Sequence, residues 1–550
     1  MLSNLLFYDI EVFSHDALVV FLDENGNETI FHNDFIRLEE FIEGKTLVGF
    51  NNYFYDDVIL HHMLNLKTPE QLKHLNDRII SGEKIRIKNY RFNSLDVWQQ
   101  IDVSMPSLKK IEGNMGKMIL ESSVSFDIDR PLTVEELHET IEYCTYDVQM
   151  VIEVYKKRID SYFKPKGQLV EMLGDDRGQR WNSTTLSSNV LLKKPLPKWS
   201  NIRVPEWMLD LVPPDVVDLW MTKDKGRVTI EDFDCEIEFG FGGLHGVHKH
   251  IKKAENVTLL DVSSMYPHII LNINGLGTST EKYKQLLDER VQIKHKDPVK
   301  SDALKLILNS VYGNLKNKYS MLNNPKCALS VCVYGQIALY ELCRRISPFA
   351  TIVNINTDGV AFVAHSEDYK VVWSEWEKDF NLTLEEEHFD MFVSKDVNNY
   401  IAKQGDYLTC KGGDTARYHS DAIFRNNNAR ILDIALVDKL IYGKDVLETL
   451  QENLDQPHLY QYILQAGRTY LGTYDQDDNE HERVNRVFAS KVEGFCLYKK
   501  RPDNGLVKFA DAPENMYLWN DDCSKLENFE SIIDLNHYYQ LVTRRLERWE

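Results

Sequence analysis

The sequence predicts a multidomain α/β fold. At 550 residues and 43% hydrophobic content the chain exceeds what one core absorbs, so three or more packed units are expected. Apolar, β-rich runs at residues 5–13, 17–22, 257–262 and 352–363 are separated by stretches of helical period at 141–151, 305–313 and 327–346. Such interleaving is the pattern of sheets covered by helices. Several of the strand runs carry carboxylates, which a buried strand tolerates only against a positive partner.

The first run, L-L-F-Y-D-I-E-V-F, places Asp9 and Glu11 on one face because side chains repeat every two residues along a strand. Two acids on one face of a core strand need a cation. Residues 17–22 and the Asn25-Gly26 turn then predict an antiparallel meander. Residues 47–60, L-V-G-F-N-N-Y-F-Y-D-D-V-I-L, read as a strand running into Asn52, Tyr55 and Asp56 and on into a helix. At 141–151 the period is helical, with Tyr143 and Asp147 at i and i+4 on one face. Residues 161–235 carry no readable signal and are taken as connection. The glycines of F-G-F-G-G-L-H-G, residues 239–246, suit close backbone approach.

Residues 257–271, V-T-L-L-D-V-S-S-M-Y-P-H-I-I-L, bring a strand to Asp261, and Pro267 restarts an apolar run. A cap or Asx-turn would explain this Asp by itself; Mg²⁺ on a nucleotide's phosphates would explain it only with partners elsewhere. Candidate partners follow. A helical run at 281–296 puts Arg290 and Lys294 at i and i+4. In K-L-I-L-N-S-V-Y-G, Lys305, Asn309 and Tyr312 share a helix face, with Gly313 where a bulky group approaches. Lys can hold triphosphate oxygens and Tyr can stack beneath a base. Residues 352–363 predict a hairpin about Asn356-Thr357-Asp358-Gly359 that presents Asp358. Residues 327–346 read as a core helix, and 429–442 and 532–549 as further helices.

Taken together, D-V-S-S-M-Y-P, K-L-I-L-N-S-V-Y-G and N-T-D-G resemble the signatures D-x-x-S-L-Y-P, K-x-x-x-N-S-x-Y-G and D-T-D-S of the family B DNA polymerases, in the same order. Met265 replaces Leu, and Asn356 replaces the first Asp of the third signature. The N-terminal runs resemble the proofreading segments D-x-E, N-x-x-(F/Y)-D and Y-x-x-x-D, with spacing from Asn52 favouring Asp56 over Asp57. Ser107-Leu108 resembles a single-strand-binding segment of compact viral polymerases. Residues 239–246 fall at the family's Y-x-G-G loop, with Gly240 in place of Tyr. Residues 393–402 resemble a K-x-Y primer-strand segment in which Asn398 replaces Lys and Tyr400 fits.

The resemblance implies an RNase H-like exonuclease domain at 1–160 and a right-hand polymerase: connection and first palm part at 161–280, fingers at 281–320, second palm part at 321–412, thumb at 413–550. It implies two-metal transfer of dNTPs to a primer 3′ hydroxyl, with 3′→5′ proofreading in the same chain. Polymerase metals would be held by Asp261, Asp358 and the Val262 carbonyl, and exonuclease metals by Asp9, Glu11, Asp56 and Asp147, with Tyr143 orienting water. Ser264, Tyr266, Arg290, Lys294, Lys305, Asn309 and Tyr312 would bind nucleotide, Tyr266 excluding a 2′-hydroxyl. Asn52, Tyr55, Ser107, Leu108, Gly313, Thr357 and Tyr400 would contact DNA. The implied cofactor is Mg²⁺, two per site, with Mn²⁺ able to substitute. A catalytically decayed DNA-binding scaffold and an exonuclease-only protein are the rival readings.

Net charge is −21, so nucleic-acid contact is expected on local basic tracks at 248–253, 282–318 and 491–501, while the acidic run 377–390 is expected to face solvent. Eight scattered cysteines without a CxxC pair suit reduced thiols, and no 18-residue apolar stretch or secretory leader is evident. A monomeric cytoplasmic protein of bacteriophage type is expected, with viral processivity, helicase or single-strand-binding factors as accessory partners. Only 44 residues separate Asp261 from Lys305 and 43 separate Gly313 from Asn356, which leaves no room for the inserts of protein-primed relatives. Extension of an ordinary primer is therefore expected, with poor strand displacement.

Overall fold

A computed structural model describes residues 4–294, 296–425 and 429–550. His295, in the run expected to be helical, and residues 426–428, in the expected thumb, lie outside them. The described chain forms two compact units, one of Met1–Asn182, Asp421–Arg430 and Glu452–His537, the other of Ser183–Ser420, Ile431–Gln451 and Tyr538–Glu550. The division falls at 182, and residues 413–550 are shared between the two units.

The first unit opens with β1 (Leu5–Val12), β2 (Ala17–Asp23), β3 (Glu28–His32), β4 (Thr46–Gly49) and β5 (Asn93–Asp96), in sheet order β3-β2-β1-β4-β5. β1 is antiparallel to β2 and parallel to β4. Alternation along β1 sends Leu6, Tyr8 and Ile10 to one core and Leu5 and Phe7 to the other, where they meet Cys144, Val148 and Val151 of a long helix. The helices used below are α1 (Asp56–Met63), α2 (Leu108–Asn114) and this long one, α3 (Val134–Arg158). Asp9 and Glu11 share the face of Leu5 and Phe7, so α3 covers their side of the sheet.

The second unit begins with α4 (Ser183–Leu191), which the sequence did not signal. Its sheet has nine strands: β6 (Val228–Asp232), β7 (Cys235–Phe239), β8 (His245–His248), β9 (Lys253–Val262), β10 (Ala350–Asn356), β11 (Gly359–Ala364), β12 (Leu384–Asp396), β13 (Asn399–Gln404) and β14 (Tyr407–Lys411). The order is β14-β13-β12-β9-β11-β10-β8-β7-β6, with every pairing antiparallel. Between β9 and β10 run α5 (Met265–Asn272), α6 (Thr280–Ile293), α7 (Pro298–Lys316) and α8 (Pro325–Ile346). These helices occupy both short gaps on which the primer argument rests. Asp297 and Asn324 cap α7 and α8 by accepting from the Lys300 and Cys327 amides, each ahead of a proline at the first helical position. Late in the chain α9 (Ile431–Tyr442) is tied in by Asp433, which pairs with Arg417 at 2.7 Å and Arg545 at 2.9 Å.

The chain returns to the first unit with β15 (Tyr462–Gln465) and β16 (Gly472–Asp475), followed by β17 (Glu480–His481), β18 (Val484–Ala489), β19 (Leu497–Lys500), β20 (Leu506–Lys508) and β21 (Met516–Leu518). Fully buried Arg486 fastens this segment to α2: its guanidinium donates to the Gly113 carbonyl at 3.2 Å, to the Lys117 carbonyl and to Gln461 Oε1 at 2.7 Å. A β-carbon on Gly113 would come within 2.8 Å of Ile463 Cδ1, so any larger residue would require the Ile463 side chain to shift.

Candidate functional site

Asp9, Glu11, Asp56, Tyr143 and Asp147 line one cleft of about 500 Å³ in the first unit, with Tyr55, Ser107 and Leu108 on its wall. β1 supplies the first two, the start of α1 supplies Asp56, and α3 supplies Tyr143 and Asp147 one turn apart. The acids resist ionisation together. Burial, then the Asp147 charge, pushes the Asp9 carboxyl up to about 7. Burial followed by the charges of Asp9, Asp147 and Asp56 drives Glu11 well up, and Asp56 is raised by burial and then by Asp9. Asp147 is also raised by burial, against the pull of Lys109. Lys109 Nζ bonds Asp147, reaches Glu112 at 3.4 Å and stands 4.6 Å over the Tyr143 ring.

The donor set fits a divalent cation. Ligand atoms of Asp9, Glu11 and Cys144 lie within 4.8 Å of one another. Burial raises the Cys144 thiol so that it stays protonated, and its Sγ donates to Asp9 at 3.9 Å. The remaining donors are carboxylate oxygens, the choice of a hard ion such as Mg²⁺.

Asn52 is fully buried, its Nδ2 donates to Asp57 at 3.1 Å, and it is not among the described residues that line the cleft. Asn51, the residue before it, is in left-handed conformation at φ 57°. Asn51 itself lines the cleft. Asp57, the alternative to Asp56, is wholly buried in a structural network: it accepts from Tyr8 Oη and from Ser94 Oγ at 2.7 Å, and pairs with Arg180 at 2.7 Å.

In the second unit Asp261 stands near the end of β9, across from Gly359 of β11 on one side and Glu385 of β12 on the other. Burial, then Asp358, Glu385 and Glu387, pushes its carboxyl up to about 7. The Val262 amide donates to the Asp358 carbonyl at 2.7 Å, locking the strand end to the hairpin turn. Asp358 is raised by burial, against the pull of Lys411. Thr357 holds the turn at φ 38°, its amide donating to the Leu244 carbonyl at 2.9 Å and its Oγ1 meeting His245 Nε2 at 3.2 Å. The glycine loop that supplies these contacts is fixed by buried Gln336 of α8, whose Nε2 donates to the Gly240 and Gly242 carbonyls at 3.0 and 3.1 Å. The 327–346 helix is therefore core that also positions the turn.

Ser264 precedes α5 in left-handed conformation, and Tyr266 stacks on Tyr312 with ring centroids 4.2 Å apart. Along α7 the buried side carries Leu304, Ile307, Leu308 and Val311, while Lys305, Asn309 and Gly313 are exposed. Lys316 reaches over the Tyr312 ring at 4.3 Å. Arg290 is half-buried on α6, and Lys294 follows that helix's last residue in the open. Lys305, Arg290 and Lys294 have no carboxylate within ion-pair distance among the described residues. Tyr400 stacks on Phe392 at 5.0 Å, and its hydroxyl is raised by burial and then by Asp358, Asp261 and Glu387.

No protein-family model matches the chain, and no curated protein matches it. Among solved structures it is similar to the family B DNA polymerase from the hyperthermophilic archaeon Pyrobaculum calidifontis, at 12% sequence identity and a TM-score of 0.47, over 99% of this chain and 77% of that one. Among the described residues no helix is long and apolar enough to cross a membrane.

Four polar residues near these acids escaped the sequence reading. Glu385 and Glu387 belong to the acidic run 377–390; both are exposed, but on the face of the sheet that carries Asp261. Their spacing of two was the available signal. Lys411 sits opposite Tyr400 in the β13–β14 pair, and Arg468 lines the cleft of the first unit. For these two the sequence offered no signal, because strand pairing and a contact across more than 300 residues are tertiary facts.

Proposed function

We propose that the chain is a DNA-directed DNA polymerase with a 3′→5′ exonuclease in the same polypeptide. The observation that carries the reading is the pairing of Asp261 and Asp358 at adjoining strand ends, both carboxyls raised by burial, beside a helix whose exposed face offers Lys305 and Asn309 and whose half-buried Tyr312 stacks on Tyr266. Acids raised in this way are sites that a divalent cation completes.

For extension, bound Mg²⁺ would lower the pKa of a primer hydroxyl and neutralise the pyrophosphate that leaves. Asp261 and Asp358, with the Val262 carbonyl, would hold it. Lys305, Arg290 and Lys294, free of carboxylate partners among the described residues, would bind triphosphate oxygens and stabilise charge developing there. Tyr266, braced by its stack on Tyr312, would lie under the sugar and exclude a 2′-hydroxyl. Thr357, Gly313 and Tyr400 would meet the primer-template.

For trimming, Asp9, Glu11, Asp56 and Asp147 would bind cations, and Tyr143 would orient the attacking water. The β3-β2-β1-β4-β5 order with a helix over the acidic face supports an RNase H-like assignment for this unit. Primer extension with and without dNTPs tests the whole reading. Asp358→Ala should abolish extension and spare trimming, and Asp9→Ala with Glu11→Ala should do the reverse. Loss of both activities in either folded variant would refute the two-site assignment.

A further inference from the structure

Among the described residues two cations line the acidic cleft of the first unit, and they differ in commitment. Lys109 is spent on Asp147 and Glu112. Arg468 is exposed and has no carboxylate within ion-pair distance among the described residues. It comes from a turn just after β15, more than 300 residues beyond the acids it faces. That turn is held from several sides: Tyr470 donates to the Gly467 carbonyl at 3.0 Å, Ala466 to the Arg483 carbonyl at 3.1 Å and Leu471 to the Lys500 carbonyl at 2.8 Å. Gln465 Nε2 donates to Ser107 Oγ at 3.2 Å, which joins this strand directly to the cleft wall.

We propose that Arg468 is a strand-binding residue of the exonuclease site, its guanidinium holding a backbone phosphate of the single strand whose 3′ end enters the cleft. The proposal rests on the exonuclease reading above. A 3′ end approaching four carboxylates brings its own negative charge, so affinity requires a cation that the acids have not already neutralised. Arg468 meets that requirement, and its planar fork suits two phosphate oxygens at once. Phe50 and Trp98, whose rings lie 6.3 Å apart on the same cleft, offer apolar faces for unstacked bases. Residues 452–537 thereby contribute to trimming, a role the sequence reading did not give them.

The test uses the full chain with Mg²⁺ and a 5′-labelled single-stranded oligonucleotide. Arg468→Gln should raise KM for trimming about tenfold with kcat little changed, and should reduce the slope of log KM against log salt by about one. Arg468→Lys should keep the slope, and Lys508→Gln, an exposed cation that does not line the cleft, should match the parent. Unchanged KM and slope in Arg468→Gln would overturn the proposal, as would an equal fall in kcat without a change in KM. A parent that did not trim at all would sink the exonuclease reading instead. Anisotropy of the labelled strand would then still read the salt slope of binding, with loss of one unit supporting Arg468 and no loss overturning it.

Discussion

Gly243 packs so closely against Thr357 that a β-carbon there would lie 2.4 Å from Thr357 Oγ1 and 2.8 Å from its Cα. Since Thr357 already sits at φ 38° and is bonded to Leu244 and His245, the turn that carries Asp358 has nowhere to move. Gly243→Ala is therefore expected to lower primer extension by at least about tenfold, or ~1.4 kcal/mol in the barrier, while 3′ trimming continues. Steady-state kinetics of both reactions on one preparation check this, and full extension activity would contradict it.

Asp56 and Asp57 are neighbours with opposite expected behaviour. Asp57→Ala breaks a buried pair with Arg180 and strands Tyr8, Ser94 and Asn52, so thermal unfolding should show a loss of about 3–5 kcal/mol. Asp56→Asn removes one of several mutually repelling carboxylates. In EDTA at pH 8 it should unfold at a higher temperature than the parent, yet lose trimming when Mg²⁺ is supplied. If Asp57→Asn were the variant that lost trimming without loss of stability, the assignment of the two residues would be reversed.

Asn356 ends β10 across from Gly359 and His245, one residue from Thr357. Asn matches Asp in size and acceptor oxygen but adds no charge. Asn356→Asp is expected to leave extension within about tenfold of the parent, because Asp261, Asp358, Glu385 and Glu387 already supply carboxylate to that face. A gain of several orders of magnitude in single-turnover rate would show that the natural chain is crippled, and would favour the scaffold reading.

Binding of Mg²⁺ beside Asp261 should depend on pH with a definite sign. Its carboxyl is raised from an ordinary value of 3.8 to about 7, so below pH 7 a proton competes with the cation. In a chain carrying Asp9→Ala and Glu11→Ala, apparent Mg²⁺ affinity should fall about tenfold per pH unit below 7 and level off above it. Calorimetry in two buffers should detect proton release at pH 6 and little at pH 8.5. Without metal the sign reverses: the neutral carboxyl favours folding, a contribution that is full below pH 3.8 and lost as the pH rises through 7. An affinity independent of pH would contradict both statements.

What the sequence determined by itself was local. Periodicity two put Asp9 and Glu11 on one strand face, periodicity 3.6 put Tyr143 above Asp147 and aligned Lys305, Asn309 and Tyr312, and the β-turn residues presented Asp358. Each follows from backbone geometry over fewer than ten residues. Only the tertiary structure decided that Asn52 turns inward to Asp57, that Glu385 and Lys411 join the face of Asp261 and Asp358, and that β15 and Arg468 close on the acids of β1 and α3. The physical reason is that these contacts depend on strand order and on close approaches such as those at Gly113 and Gly243. Both are fixed by packing between segments far apart in the chain, where no period or spacing in the sequence can record them.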